Sequence, residues 1–138
     1  MTNISGSCLC GAIKYSSPAT PVFAAVCQCT HCQKQSGGAF SVNVAIPKGS
    51  LQFLSGKTAI FTDIGASGQP VYRHFCSSCG SPIFSDVVAT PQLDWLKAGT
   101  LDDSSWVKPA INIWCDSAQS WVVYPDGVPC FPKSPPRA

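Results

Sequence analysis

Phe40, Val42, Val44 and Ile46 alternate with smaller or polar residues through "FSVNVAI", and this period of two predicts a half-buried strand over 40–46. Shorter runs of the same kind predict strands in "IKYS" (13–16), "LQFL" (51–54), "AIFTD" (59–63) and "VYRHFC" (71–76). "IFSDVV" (83–88), "INIWC" (111–115) and "WVVY" (121–124) complete the set. Between them "PKGS", "GASGQP" and "PDG" supply the backbone angles of tight turns. "TPQLDWLKA" (90–98) fits a strand or a turn of helix equally. One short helix is expected, with Thr30 as its N-cap and Gly37-Gly38 as its stop. The proline-rich end "FPKSPPRA" is expected to wrap the surface or fray. No repeat or low-complexity segment interrupts the pattern. An all-β single domain over 1–138 follows.

Composition narrows the function classes. The 138 residues are 45% hydrophobic and only 12% charged, enough for one core and unlike a disordered chain. Nine Lys and Arg are scattered and the net charge is +2, which speaks against a nucleic-acid surface. The first residues, "MTNISGSCLCG", have no basic and apolar leader pattern, and the longest apolar run, "VFAAVC", cannot span a bilayer. A soluble cytoplasmic protein is expected, with no membrane partner. In a reducing compartment cysteines at short spacings read as metal or catalytic ligands, and nine of them cannot all pair internally.

Seven of the nine fall into three knuckles: Cys8-x-Cys10-Gly11, Cys27-x-Cys29-x-x-Cys32 and Cys76-x-x-Cys79-Gly80. Zinc takes thiolates in a tetrahedron, so Cys8, Cys10, Cys76 and Cys79 make a closed structural site. Adjacent strand residues point to opposite faces but Cys8 and Cys10, two apart, need a bend to chelate, which Gly11 permits. Cys27, Cys29 and Cys32 then hold a second metal with one position left for water or substrate, as catalytic zinc sites commonly do. Other partitions stay open: redox or disulfide cysteines, or a fourth ligand from Cys115, Cys130 or His74. His31, within the tight turn, is a poor ligand.

Five segments in order carry a family resemblance: "GSCLCGAIKY", "CQCTHCQKQSGGAF", "FCSSCGSPIF", "KAGTLDD" and "INIWCDSAQSWVVYPDGVPCF". They resemble the glutathione-dependent formaldehyde-activating enzymes, whose domain also occurs in centromere protein V. The resemblance implies a β-tent fold of antiparallel sheets, a closed zinc site at Cys8, Cys10, Cys76 and Cys79, and a catalytic zinc at Cys27, Cys29 and Cys32. The implied activity joins glutathione to formaldehyde, formally a carbon–sulfur lyase in reverse. The chain departs from the family where Gln28 and Asn112 replace commonly found histidines and Gln33 replaces an arginine. An anionic thiol would lose electrostatic help there, with Lys34 as a substitute.

The expected chemistry is activation of a small thiol such as glutathione for addition to a small aldehyde. Gln33, Lys34 and Ser36 are expected to bind the substrate's polar groups. Trp95, Trp106, Trp114 and Trp121 read as core and rim aromatics, His74 as a strand-face residue, and Asp102 and Asp103 as turn formers. The alternative is a zinc-stabilised binding module with both metals saturated and no turnover.

Overall fold

The computed structural model describes residues 4–135, in two sheets with one short α-helix. The small sheet has the order β1-β2-β5, from β1 (Ile4–Ser7), β2 (Lys14–Ser17) and β5 (Gln52–Ser55). The large sheet comprises β3 (Phe23–Cys27), β4 (Ser41–Pro47), β6 (Ala59–Ile64), β7 (Pro70–Phe75), β8 (Pro82–Val87), β9 (Leu93–Lys97) and β10 (Pro109–Ile113). Its order is β10-β3-β4-β9-β8-β7-β6, and only the β10–β3 pair is parallel. The helix α1 (Thr30–Ser36) joins β3 to β4.

Register explains what each face of the large sheet does. Residues directly opposite on neighbouring strands share a face, and the next residue along faces the other way. One row runs Ala24, Val44, Leu96, Phe84 and His74 across β3, β4, β9, β8 and β7. Ala24, Val44, Leu96 and Phe84 join Ile4 and Tyr15 from the small sheet, and Ile13 just before β2, in the hydrophobic core. Each fully buried aliphatic side chain there contributes about 1.5–3 kcal/mol. The adjacent row on the opposite face runs Phe23, Ala45, Trp95, Ser85 and Arg73. Next to it Ala25, Asn43 and Lys97 are aligned. One face therefore builds the core, and the other presents polar groups to a cavity.

This division corrects the half-buried reading of 40–46. Val44 and Ile46 lie in the core as expected, but Ser41, Asn43 and Ala45 on the opposite face are buried too. Phe40 precedes the strand and is exposed. "TPQLDWLKA" resolves as strand β9. "WVVY" does not form a strand: Trp121 and Val123 are 69% and 89% exposed while Val122 and Tyr124 are half-buried. Its alternation is real, but no neighbouring strand offers a ladder to pair with. The helix cap also shifts by one, because Cys29 is the N-cap and its Sγ accepts from the Cys32 N–H. The start of the proline-rich end is tied down, with Phe131 N–H bonded to Asn112 O and Trp114 N–H to Lys133 O. Residues 136–138 lie outside the described residues.

Candidate active site and metal centres

The first cysteine cluster forms where two turns meet. After β1 the chain bends so that Gly11 N–H bonds Cys8 O at 3.2 Å, and after β7 Gly80 N–H bonds Cys76 O at 2.8 Å. Both glycines have φ of +80°, a conformation that a side chain would strain. The sulfurs of Cys8, Cys10, Cys76 and Cys79 all lie within 4.8 Å of one another. Cys8 and Cys10 Sγ are 3.6 Å apart, and Cys10 and Cys76 Sγ 3.8 Å. Four sulfurs around one zinc at about 2.3 Å stand ~3.8 Å apart in a tetrahedron, so the donor set fits the metal. Cys8 also accepts from the Ile13 N–H at 3.3 Å, an amide contact that thiolate ligands favour.

Cys27, Cys29 and Cys32 form the second cluster, again with all sulfurs within 4.8 Å. Cys27 ends β3, Cys29 caps α1, and Cys32 lies in its first turn. The three cannot all ionise freely at this separation. Hydrogen bonds from Cys27 and Cys29 hold the Cys32 thiolate and lower its pKa, with the charges of Lys97 and Arg73 adding to the effect. Cys27 moves the opposite way, raised by its bonds to Cys29 and Cys32 and by burial. Among the described residues neither Cys115, Cys130 nor His74 joins the cluster. His74 instead stacks on Phe84, and its Nδ1 is 2.6 Å from Thr58 Oγ1.

The three thiols open onto a cavity of about 550 Å³. Its floor is the polar face of the large sheet, with Asn43, Arg73, Ser85, Trp95 and Lys97 among the lining residues. Arg73 donates from Nε to Asp63 Oδ2 at 2.9 Å and from an Nη to Gln35 Oε1 at 2.8 Å. Burial opposes its charge, but the Cys32 thiolate and Asp63 carboxylate raise its pKa. His31 Nδ1, at 2.7 Å from the same Asp63 oxygen, belongs to this network and not to the metal cluster. Lys97 is 7% exposed and donates to Ser41 Oγ at 2.8 Å and Asn43 Oδ1 at 2.9 Å. Burial pulls its pKa down, with the Cys32 charge working the other way.

The residues expected to bind substrate lie elsewhere. Gln33 donates to Gln28 O at 2.7 Å and Ser117 O at 2.9 Å, and its Oε1 accepts from Gln119. Lys34 is exposed, and Ser36 donates to Phe40 O at 3.1 Å. None of Gln33, Lys34 and Ser36 is among the cavity-lining residues. The three family departures are also one connected structure. Gln33 holds the Gln28 carbonyl, and Gln28 Nε2 donates to Asn112 Oδ1 at 3.3 Å. They brace the thiol loop from behind, and Gln28 and Asn112 face a separate small pocket beside Tyr124. Positive charge reaches the thiols from Arg73 and Lys97, which sequence reasoning left among the scattered cations. Their signal was a polar residue at an alternating position in an otherwise apolar strand, as in Val71-Tyr72-Arg73 and Trp95-Leu96-Lys97.

The tryptophans divide by role. Trp95 and Trp114 line the cavity, and Trp95 donates to Thr90 Oγ1 at 3.0 Å while meeting Phe23 edge-on. Trp114 is the one non-glycine residue with positive φ among the described residues, at +57°, a strained conformation beside the site. Trp106 packs against the core and Trp121 is exposed. Asp103 accepts from Ser105 in a turn, as expected, whereas Asp102 lies in a bend and accepts from Ser5 Oγ on β1.

A family model described as "Glutathione-dependent formaldehyde-activating enzyme" matches residues 3–117, which include both cysteine clusters. The chain belongs to this family. A Halomonas elongata protein named "Putative glutathione-dependent formaldehyde-activating enzyme" is 28% identical over 125 residues, covering 86% of this chain and 79% of its own. A Rhodobacter sphaeroides protein of known crystal structure superposes with a TM-score of 0.61 at 17% identity, over 93% of this chain and all of that one. It supports the all-β fold. No helix among the described residues is long and apolar enough to cross a membrane.

Proposed function

We propose that this family member is a carbon–sulfur lyase-type enzyme that adds a thiol, glutathione or a similar one, to a small aldehyde. The carrying observation is the contrast between the two clusters: four cysteines close one site, whereas three open onto a cavity with two buried cations beside them. We assign one zinc to each cluster, structural at Cys8, Cys10, Cys76 and Cys79 and catalytic at Cys27, Cys29 and Cys32. A zinc ion at the second cluster would supply stabilisation of a substrate thiolate.

The remaining work falls to the chain. Three cysteinates around a dication leave a net negative site, and Lys97 and Arg73 offset that charge so that an anionic thiol is tolerated. The bonds of Arg73 to Asp63 and Gln35 fix its position against Cys32. Apolar walls keep water from competing for the electrophile. All nine cysteines are free, which suits a reducing, cytoplasmic setting.

Cobalt substitution separates this reading from a binding module. Adding glutathione should strengthen the sulfur-to-metal charge-transfer band and release a proton, since a thiol of pKa ~8.5 is mostly protonated at neutral pH. The change should vanish in Cys29→Ser while the signal of the four-cysteine site persists. An unchanged spectrum with glutathione and with every member of a thiol panel would favour the binding module.

A further inference from the structure

The cavity floor holds polar atoms that thiol activation does not use. Ser85 lines the cavity and is 4% exposed, yet its Oγ has no hydrogen-bond partner among the described residues. A buried hydroxyl in that state calls for a ligand or water to complete it. On the same face Lys97 has three donors and gives two of them, to Ser41 and Asn43. Each therefore keeps a hydrogen donor unspent on the face that lines the cavity. Around them the wall is apolar: Ile64, Val71 and Val87 line it with Trp95, and Val71 and Val87 are register partners.

Neither family substrate accounts for that wall. Formaldehyde has a single carbon and no substituent to bury, while cavities of ~300–1,000 Å³ enclose much larger ligands. Glutathione ends in two carboxylates and an ammonium, groups that an apolar wall would desolvate without compensation. No carboxylate lines the cavity, and its only Lys and Arg among the described residues, Lys97 and Arg73, are buried and bonded. The charged ends of such a thiol therefore belong at the mouth, in water.

We propose that Ile64, Val71, Val87 and Trp95 form a subsite for the hydrocarbon substituent of an aldehyde larger than formaldehyde, whose carbonyl oxygen accepts from Ser85 Oγ and Lys97 Nζ. This rests on the thiol-addition reading above. In the reaction a carbon–sulfur bond forms as the π pair of the carbonyl moves onto oxygen. That oxygen takes up one proton, balancing the proton lost by the thiol, and the product is a hemithioacetal with no change of oxidation state. The donors at Ser85 and Lys97 meet the oxygen where its negative charge grows.

Unreactive carbonyl compounds test the subsite without turnover. In calorimetric titration of the metal-loaded protein with primary amides from acetamide to hexanamide, affinity should rise about 3–4-fold per methylene. Ser85→Ala should weaken binding about 2–10-fold. Val87→Thr, similar in volume, should flatten the dependence on chain length. A flat series in the unaltered protein, or no binding of any amide, overturns the proposal. In parallel, kcat/KM with glutathione should climb from formaldehyde to hexanal. A preference for formaldehyde over every longer aldehyde overturns the subsite and leaves thiol activation standing. Chain-length-dependent amide binding without any thiol response in the cobalt protein overturns thiol activation and leaves the subsite standing.

Discussion

Arg73 is a buried cation whose neighbours come from two elements: Asp63 on β6, and both Gln35 and the thiol of Cys32 on α1. It positions the helix that carries one ligand and charges the neighbourhood of that ligand at once. Groups in this second layer around a metal typically control affinity by about 10–100-fold. Arg73→Gln should weaken metal binding at Cys27, Cys29 and Cys32 by that amount in chelator competition, while the four-cysteine site keeps its affinity. Arg73→Lys should recover part of the loss, because charge returns without the second hydrogen bond. Equal affinities in all three proteins would show that Arg73 serves the sheet alone.

At the scale of elements, close approach matters most where the two sheets touch. A Cβ placed on Gly6 would overlap the Thr100 carbonyl oxygen and the Tyr15 hydroxyl. Tyr15 is 1% exposed and bonded to Thr100 Oγ1 at 2.7 Å, so neither obstacle can swing away. Gly6→Ala should cost about 1–3 kcal/mol by overpacking, read as a lower midpoint in denaturant with an unchanged slope. An unaltered midpoint would mean that β1 shifts freely. This contact was invisible in the sequence, as was strand β1 itself, because "ISGS" lacks any apolar alternation. Strands β2, β4, β5, β6, β7, β8 and β10 were legible from their period of two, which burial on one face imposes in most of them but not in β5, whose four residues are exposed. What the period could not tell was which strands are covered on both faces. Asn43 and Lys97 looked like solvent-facing positions because a site face and a wet face carry the same polar letters. The cysteine partition was legible for a different reason. Chelation needs short local spacing, and spacing survives in sequence, whereas Ser85 and Arg73 reach the cavity only through long-range pairing.

Across the whole molecule, the four-cysteine cluster spans the two sheets. Cys8 and Cys10 lie in the turn between β1 and β2 of the small sheet, and Cys76 and Cys79 in the turn between β7 and β8 of the large one. Nearly seventy residues separate the knuckles, so the clip closes a long loop that is otherwise held by core packing and a few hydrogen bonds, such as Leu9 N–H to Ser81 Oγ and Asp102 N–H to Ser5 O. Structural zinc contributes about 10–16 kcal/mol in small peptides, comparable to the ~5–15 kcal/mol total stability of an ordinary domain. Cys79→Ser should therefore unfold the domain or lower its melting temperature severely. Cys29→Ser removes a ligand from a site carried by α1 and the end of β3, elements that lie within one sheet and its connection. That variant should lose one metal and keep a cooperative thermal transition close to that of the unaltered protein. Acid should act in the same order of consequence, because ligand thiolates must lose their metal to take up protons and only one of the two losses separates the sheets. Elemental analysis alongside calorimetric melting checks both halves: two zinc ions per chain in the unaltered protein, one with a retained transition in Cys29→Ser, and no native transition in Cys79→Ser. Equal destabilisation by the two variants would mean that the three-cysteine site also holds the fold together.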